Sequence, residues 1–330
     1  MRNRKPSIIG LVVLILLFVL AFGGYFAYNW YQSKYVVEER SVETPGFGRY
    51  EERIFDGVTY YKRTGITTIL IMGVDRDTSE EMVGYRMGGQ ADFQMLLVLD
   101  HERKEIHTFQ IDRDTMTTFT QLTASGKPVT SKPLQICLAH AYGESQAACA
   151  LNQVDAVEKL LPGLKIDLYM AFDYNAVPII NDMLGGITVT LEDDFTGADP
   201  EMVQGRTITL KGKQAEHFVR SRMSVGDGTN VSRQKRQRVW IDGAIKRIEE
   251  CTKEDSSFVN KMYEQLGRRL TTNMSEGRLI NEFNAAYNYT RLPLEELEGE
   301  HYATDYMEFH PTDESKTRWI KNTYYRLASE

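Results

Sequence analysis

The hydrophobic pattern changes character twice along the chain. Residues 8–28, "IIGLVVLILLFVLAFGGYFAY", form an uncharged, largely apolar run. About 20 such residues at 1.5 Å each cross a ~30 Å hydrocarbon core, whereas a cleaved signal peptide has an apolar region of only about 7–15. The run therefore predicts a membrane-spanning helix. Residues 29–64 are polar, with Pro45, Gly46 and Gly48, and read as a stalk.

From residue 65 the periods are those of a folded domain. "ITTILIMG", 66–73, is a near-continuous apolar run stopped by glycine, as in a buried strand. "DFQMLLVLD" and "EIHTFQID" flank the turn "HERK" and predict a hairpin, 92–99 with 105–111. Helical spacing follows at 134–143 and 146–161, the second ended by Pro162-Gly163. "IDLYMAF" reads as a strand, 174–184 as a helix, and "ITVTL" and "RTITL" as strands, the last leading into a helix at Gly212. Helices are expected at 232–250, 257–270 and 275–290, then a late strand in "HYATDYMEFH" and a closing helix in "DESKTRWIKNTYYRL". Strands and helices alternate, so the class is α/β or α+β, with helices covering a sheet. The expected organisation is a cytoplasmic tail (1–7), the span (8–28), the stalk (29–64) and one extracellular domain (65–330), whose last part, 255–330, is helical.

Charge locates this domain. Arg2, Arg4 and Lys5 precede the span, which places the N-terminus in the cytoplasm by the positive-inside tendency; Tyr25, Tyr28, Trp30 and Tyr31 form an aromatic belt on the far side. The net charge is −7, and removing those three leading cations leaves −10 for the remainder. Free-standing nucleic-acid binders are usually basic, so that class is disfavoured. The three cysteines, Cys137, Cys149 and Cys251, lack metal-ligand spacing and read mostly as buried apolar side chains.

Two features carry candidate chemistry. Asp-Arg-Asp occurs at the end of two strands, as Asp75-Arg76-Asp77 and Asp112-Arg113-Asp114, and Asp92 opens the strand that pairs with both. Strand ends of mixed sheets are where loops converge on ligands. A carboxylate beside a guanidinium can hold a cation and a phosphate together, although an isolated surface ion pair of this kind is worth little. The second feature is "HFVRSRMSVGDGTNVSRQKRQR", 217–238. Arg233, Arg236 and Gln237 stand at i, i+3 and i+4 of one helix, while Arg220 and Arg222 lie at the end of the preceding one. Such forked donors converge well on a small polyanion, though a solvated basic face has the same pattern. Lys235 and Arg238 are expected to face solvent.

The segments "ILIMGVDRD", "GGQADFQMLLVLD", "FQIDRDT", "LAHAYG", "MLGGITVTL", "LKGKQAEHFVRSR" and "RQKRQR" resemble, in order, those of the LytR-CpsA-Psr proteins of Gram-positive cell envelopes. The resemblance implies an α/β/α-type fold outside the membrane. It also implies transfer of an anionic glycan, of teichoic acid or capsule type, from a polyprenyl-pyrophosphate carrier to peptidoglycan. It assigns Asp75 and Asp92 to Mg²⁺ (or Mn²⁺), and Arg113, Arg220, Arg222, Arg233 and Gln237 to the pyrophosphate, with Arg236 and Asp114 in support. Beside it, the residues themselves add Arg76 to the pyrophosphate contacts and offer Asp114 or Asp77 as a candidate base. Two positions depart from the family: Asp77 stands where Arg is frequent, and Gln135 where Lys is common. The apolar runs at 95–99, 134–141, 168–172 and 177–184 offer walls for a lipid tail or ordinary core. Hydrolysis of the lipid pyrophosphate and a non-catalytic surface role are the alternatives, and nucleic acid is not an expected partner.

Overall fold

The computed structural model describes residues 51–77, 81–129, 132–223 and 225–328. The apolar run at 8–28 lies outside them, and among the described residues no helix is long and apolar enough to cross a membrane. Residues 53–330 form one contact unit, to which the description below applies.

Its centre is a mixed sheet built on β1 (Ile66–Val74), β2 (Ala91–Asp100), β3 (Glu105–Ile111) and β4 (Leu168–Asp173). The spatial order is β4-β1-β2-β3, with β4 parallel to β1 and β2 antiparallel to both of its neighbours. The apolar run of β1 is continuous because both of its faces are covered. Leu70, Met72 and Val74 join one core, while Ile69 and Ile71 belong to another on the opposite face. The first core is closed by α1 (Gln146–Leu160) through Ala150, Ala156 and Val157, and by the last helix, Asp313–Tyr324, through Trp319, Ile320 and Tyr324. The opposite face is covered by α2 (Ala176–Met183), α5 (Phe258–Leu266) and α6 (Glu276–Ala286). A third cluster joins α3 (Lys213–Arg220) and α4 (Asn230–Glu254) to the two-stranded ribbon of Thr188–Thr190 and Thr207–Thr209. Helices on both faces of a mixed sheet are the layering expected from the strand–helix alternation.

The C-terminal quarter corrects the expectation of a helical 255–330. Leu270–Thr272 (β5) pairs antiparallel with β4, and Thr290–Arg291 (β6) and Glu295–Glu296 (β7) add parallel to β3. Gly299–Ala303 and Met307–Pro311 form a hairpin, and Tyr325–Leu327 pairs with Val58–Lys62. That last pairing also moves the start of the folded domain into the expected stalk. Strands of two or three residues are too short to show a period, and they persist because a longer neighbour supplies the ladder. Expected helix 134–143 is reduced to one 3₁₀ segment, Ile136–Ala141, preceded by Leu134-Gln135 bridging to Met116-Thr117. Cys137, Cys149 and Cys251 are all free thiols, the first two buried.

Candidate active site

One edge of the sheet gathers the polar motifs. Asp75 follows β1, Asp173 ends β4, Asp112–Asp114 follows β3, and the antiparallel β2 brings Asp92 to the same edge at its start. The backbone N–H groups of Asp75 and Asp92 both donate to the carbonyl of Gln90, at 2.8 and 3.1 Å, which fixes the two acids side by side. Gly89 makes this crossing possible. Its φ is +77°, and a Cβ there would sit 2.7 Å from that of Arg76.

Guanidinium groups surround the acids. Arg113 donates to Asp92 Oδ1 at 2.5 Å and to Gln90 Oε1 at 2.8 Å, while Arg233 donates to Asp92 Oδ2 at 3.0 Å and to Asn230 Oδ1 at 2.8 Å. Arg220 donates to Asp75 Oδ1 and, at 2.6 Å, to Glu216, and its guanidinium stacks 4.2 Å from the Tyr174 ring centroid. Arg222 donates from Nε to the Gly228 carbonyl at 3.2 Å, in the loop between α3 and α4.

Among them Arg233 is the under-neutralised one. Burial pulls the Arg233 guanidinium below its ordinary pKa, and repulsion from Arg113 and Arg222 adds to the pull against the opposing attraction of Asp92. Burial acts the same way on Arg113, yet Cys137, Asp92 and Asp114 around it carry its pKa above the ordinary value. Nε of Arg233 and Oε1 of Gln237 are buried without hydrogen-bond partners. An anion arriving here would meet a desolvated guanidinium at Arg233.

Behind this mouth runs a cleft that is partly open to solvent. Asp75, Asp92, Arg220, Arg233 and Gln237 form its polar part, and its inner wall is Ile71, Phe93, Phe172, Val177, Ile180, Trp240 and Ile241. Helix α4 contributes to both parts. Its start is capped by Thr229, which accepts from Ser232 N at 3.2 Å, and Arg233, Gln237, Trp240 and Ile241 then form one stripe along it. Of the four apolar runs considered as lipid walls, 168–172 and 177–184 reach the cleft through Phe172, Val177 and Ile180, while 95–99 and 134–141 are absent from its lining.

Several expected site residues are placed elsewhere. Arg236 is turned from the cleft: it donates to the carbonyls of Phe218 (3.0 Å) and Ser221 and to Asp193 (3.0 Å), so it ties α4 to the end of α3. Gln237 helps from within the cleft, donating to the Val219 carbonyl at 3.2 Å. Arg76 donates to the carbonyls of Met87 and Glu81 and holds the following loop. Asp114 is buried beneath Arg113, accepts from Gln135 at 2.6 Å, and is pushed above its ordinary pKa by that burial. Asp77 is bound by Arg269, which also spans to Asp173 at 3.0 Å. Neither expected base, Asp114 nor Asp77, lines the cleft. Lys235 is exposed as expected, but Arg238 reaches Gln110 and Glu296. Sequence reasoning missed Tyr174, Phe93, Trp240 and Arg269. Trp240 was findable, because it stands seven residues after Arg233 on the same helical stripe.

The model of the LytR_cpsA_psr family matches residues 33–324. The chain belongs to that family. Among curated LytR_cpsA_psr-like relatives, the polyisoprenyl-teichoic acid–peptidoglycan teichoic acid transferase TagU of Bacillus subtilis is 27% identical over 248 residues, covering 74% of this chain and 71% of TagU. Biofilm regulatory protein A of Streptococcus mutans serotype c is 26% identical over 283 residues, covering 83% of this chain but only 64% of that longer protein. Among solved structures, protein gbs0355 of Streptococcus agalactiae superposes with a TM-score of 0.62 at 22% identity, over 79% of this chain and 88% of that one. This likeness is one of fold.

Proposed function

We propose that this chain moves an anionic glycan from a polyprenyl-pyrophosphate carrier onto peptidoglycan, releasing polyprenyl phosphate. The observation that carries the reading is the cleft's division into a mouth lined by Arg220 and Arg233, with Arg113 held against Asp92 just outside the lining, and an apolar interior. A lipid pyrophosphate needs both at once. Membership of a family that includes a relative named as a teichoic acid transferase supports it independently. The apolar run at 8–28 would anchor the domain on the outer membrane face, where such a carrier lies.

In this reading Arg113, Arg220 and Arg233 hold the pyrophosphate oxygens, Arg222 adds charge from the loop, and the prenyl chain lies along Phe93, Phe172, Val177, Ile180 and Ile241. The acceptor hydroxyl attacks the glycan-bearing phosphorus; a new P–O bond forms as the bond to the lipid phosphate breaks. A loose phosphoryl transition state asks little of a base and much of positioning and charge, which arginines fixed by Asp75, Asp92 and Gln90 supply. Asp75 and Asp92 fit a hard divalent cation, since both offer carboxylate oxygens at the mouth and each oxygen keeps a second lone pair. Mg²⁺ bound there would neutralise charge on the pyrophosphate.

The test is incubation of the full chain with polyprenyl-pyrophosphoryl glycan, peptidoglycan and Mg²⁺, followed by digestion and mass spectrometry. A phosphodiester-linked glycan–muropeptide is expected. Release of free phosphorylated glycan in its place would make the protein a hydrolase, and an unchanged donor would remove the enzymatic reading.

A further inference from the structure

The opposite end of the same hairpin carries a second cluster of ligand-type side chains. Asp100 closes β2 and Glu105 opens β3, directly paired across the turn, and His107 is paired with Val98 one step further in. Side chains alternate along a strand, so Asp100, Glu105 and His107 project from one face, the face that carries Val98 and Phe109. Each presents a ligand atom, and these atoms lie within 4.8 Å of one another. Eight residues at ~3.3 Å per residue separate Asp100 from Asp92, so the cluster stands roughly 26 Å from the cleft.

Its polar atoms are not accounted for by the fold. His107 is 7% exposed, and its Nε2 is buried with no hydrogen-bond partner, facing Glu105 Oε2 at 3.7 Å. Asp100 is 2% exposed; Oδ1 accepts the turn's Glu102 and Arg103 N–H groups, while Oδ2 is buried without a partner. Leaving two such atoms unsatisfied is costly. On the other side of the imidazole, Nδ1 lies 4.0 Å from Glu295 Oε1, contributed by β7. A histidine with one nitrogen toward carboxylates and the other toward a separate carboxylate has the disposition of a metal ligand with its orienting partner. Three acids against one guanidinium, Arg103 at 4.0 Å from Glu105, leave an excess of carboxylates around the imidazole.

We propose that Asp100, Glu105 and His107 bind a divalent transition metal, with zinc the best match to one imidazole and two carboxylates. Ligand atoms around tetrahedral zinc stand about 3.4 Å apart, so the cluster needs only a small contraction. The ion would clip the β2–β3 turn to the C-terminal segment through Glu295, far from the pyrophosphate mouth. The proposal is independent of the transfer reaction.

The experiment uses the full chain in detergent, stripped with a chelator and titrated with Zn²⁺ by calorimetry, with thermal melting in parallel. A saturable site that raises the melting temperature is expected, and it should survive as the remaining site in an Asp75→Asn/Asp92→Asn double variant. Glu105→Gln, at a partly exposed position, should weaken binding at least tenfold while the circular dichroism spectrum stays native; His107→Ala should abolish it. His310→Ala, which removes a surface histidine beside Glu308, should change nothing. Absence of saturable binding, wild-type affinity in both Glu105→Gln and His107→Ala, or loss of the site in the double variant or in His310→Ala would overturn the proposal.

Discussion

Asp75-Arg76-Asp77 and Asp112-Arg113-Asp114 are the same tripeptide at the same edge of the same sheet, and they use opposite members. In the first, the leading acid faces the cleft while its arginine turns back to the carbonyls of Glu81 and Met87. In the second, the arginine binds Asp92, and the leading acid accepts from Asp114 N at 2.8 Å and meets His301 at 3.1 Å. The surroundings decide the difference. The loop with Gly88 and Gly89 crosses just after β1 and offers carbonyls to Arg76, whereas the chain after β3 folds under itself and leaves Arg113 facing Asp92 and Gln90. A motif of three residues states which charges are available. The strand pairing and the next loop state which of them reach the ligand.

Four substitutions sharpen or break this contrast. Arg113→Ala should lower transfer by about 10²–10³-fold, the usual cost of removing a donor aimed at developing charge; Arg76→Ala should lower it less than about tenfold, both read as initial rates. Equal losses would mean that the tripeptides are equivalent. Arg236→Met should destabilise the fold by about 2–3 kcal/mol in urea titrations, because Asp193 and two carbonyls lose a buried cation. Its activity should fall through the displaced Arg220 and so be partly recovered at lower temperature. Asp112→Ala should cost about 1–2 kcal/mol by stripping the acceptor from Asp114 N, with binding of the lipid pyrophosphate largely kept. The smallest effect concerns Cys137, which lies behind Arg113 and whose thiol burial pushes up to about 12. It should resist alkylation at pH 8 in the folded protein and react only on unfolding; fast labelling would show that Arg113 is not packed as described.

Much of this arrangement was legible in the residues. The run before Asp75 is nearly continuous in apolar residues and the run before Asp112 returns from the turn "HERK", so their ends could be located, and Arg233 and Gln237 share a helical stripe by spacing alone. The same spacing misled for Arg236. A helix stripe is wide enough to meet both the cleft and the α3–α4 connection, and only the packing separates the two. Asp114 and Asp77 read as open carboxylates because Gln135 and Arg269, their partners, lie 21 and 192 residues away in the chain. The C-terminal strands had no period to read, since β6 and β7 are two residues each and are ordered by β3.

The central claim is that one cleft receives both the pyrophosphate and the prenyl chain. It is tested most directly with a polyprenyl-pyrophosphate analogue carrying a photoreactive group in its first isoprene units, followed by peptide mapping of the adducts. Labelling should fall on Phe93, Phe172, Val177, Ile180 or Ile241, be displaced by unlabelled polyprenyl phosphate, and drop in Arg113→Ala. Adducts spread over other surfaces, or labelling that competitor and substitution leave unchanged, would contradict it.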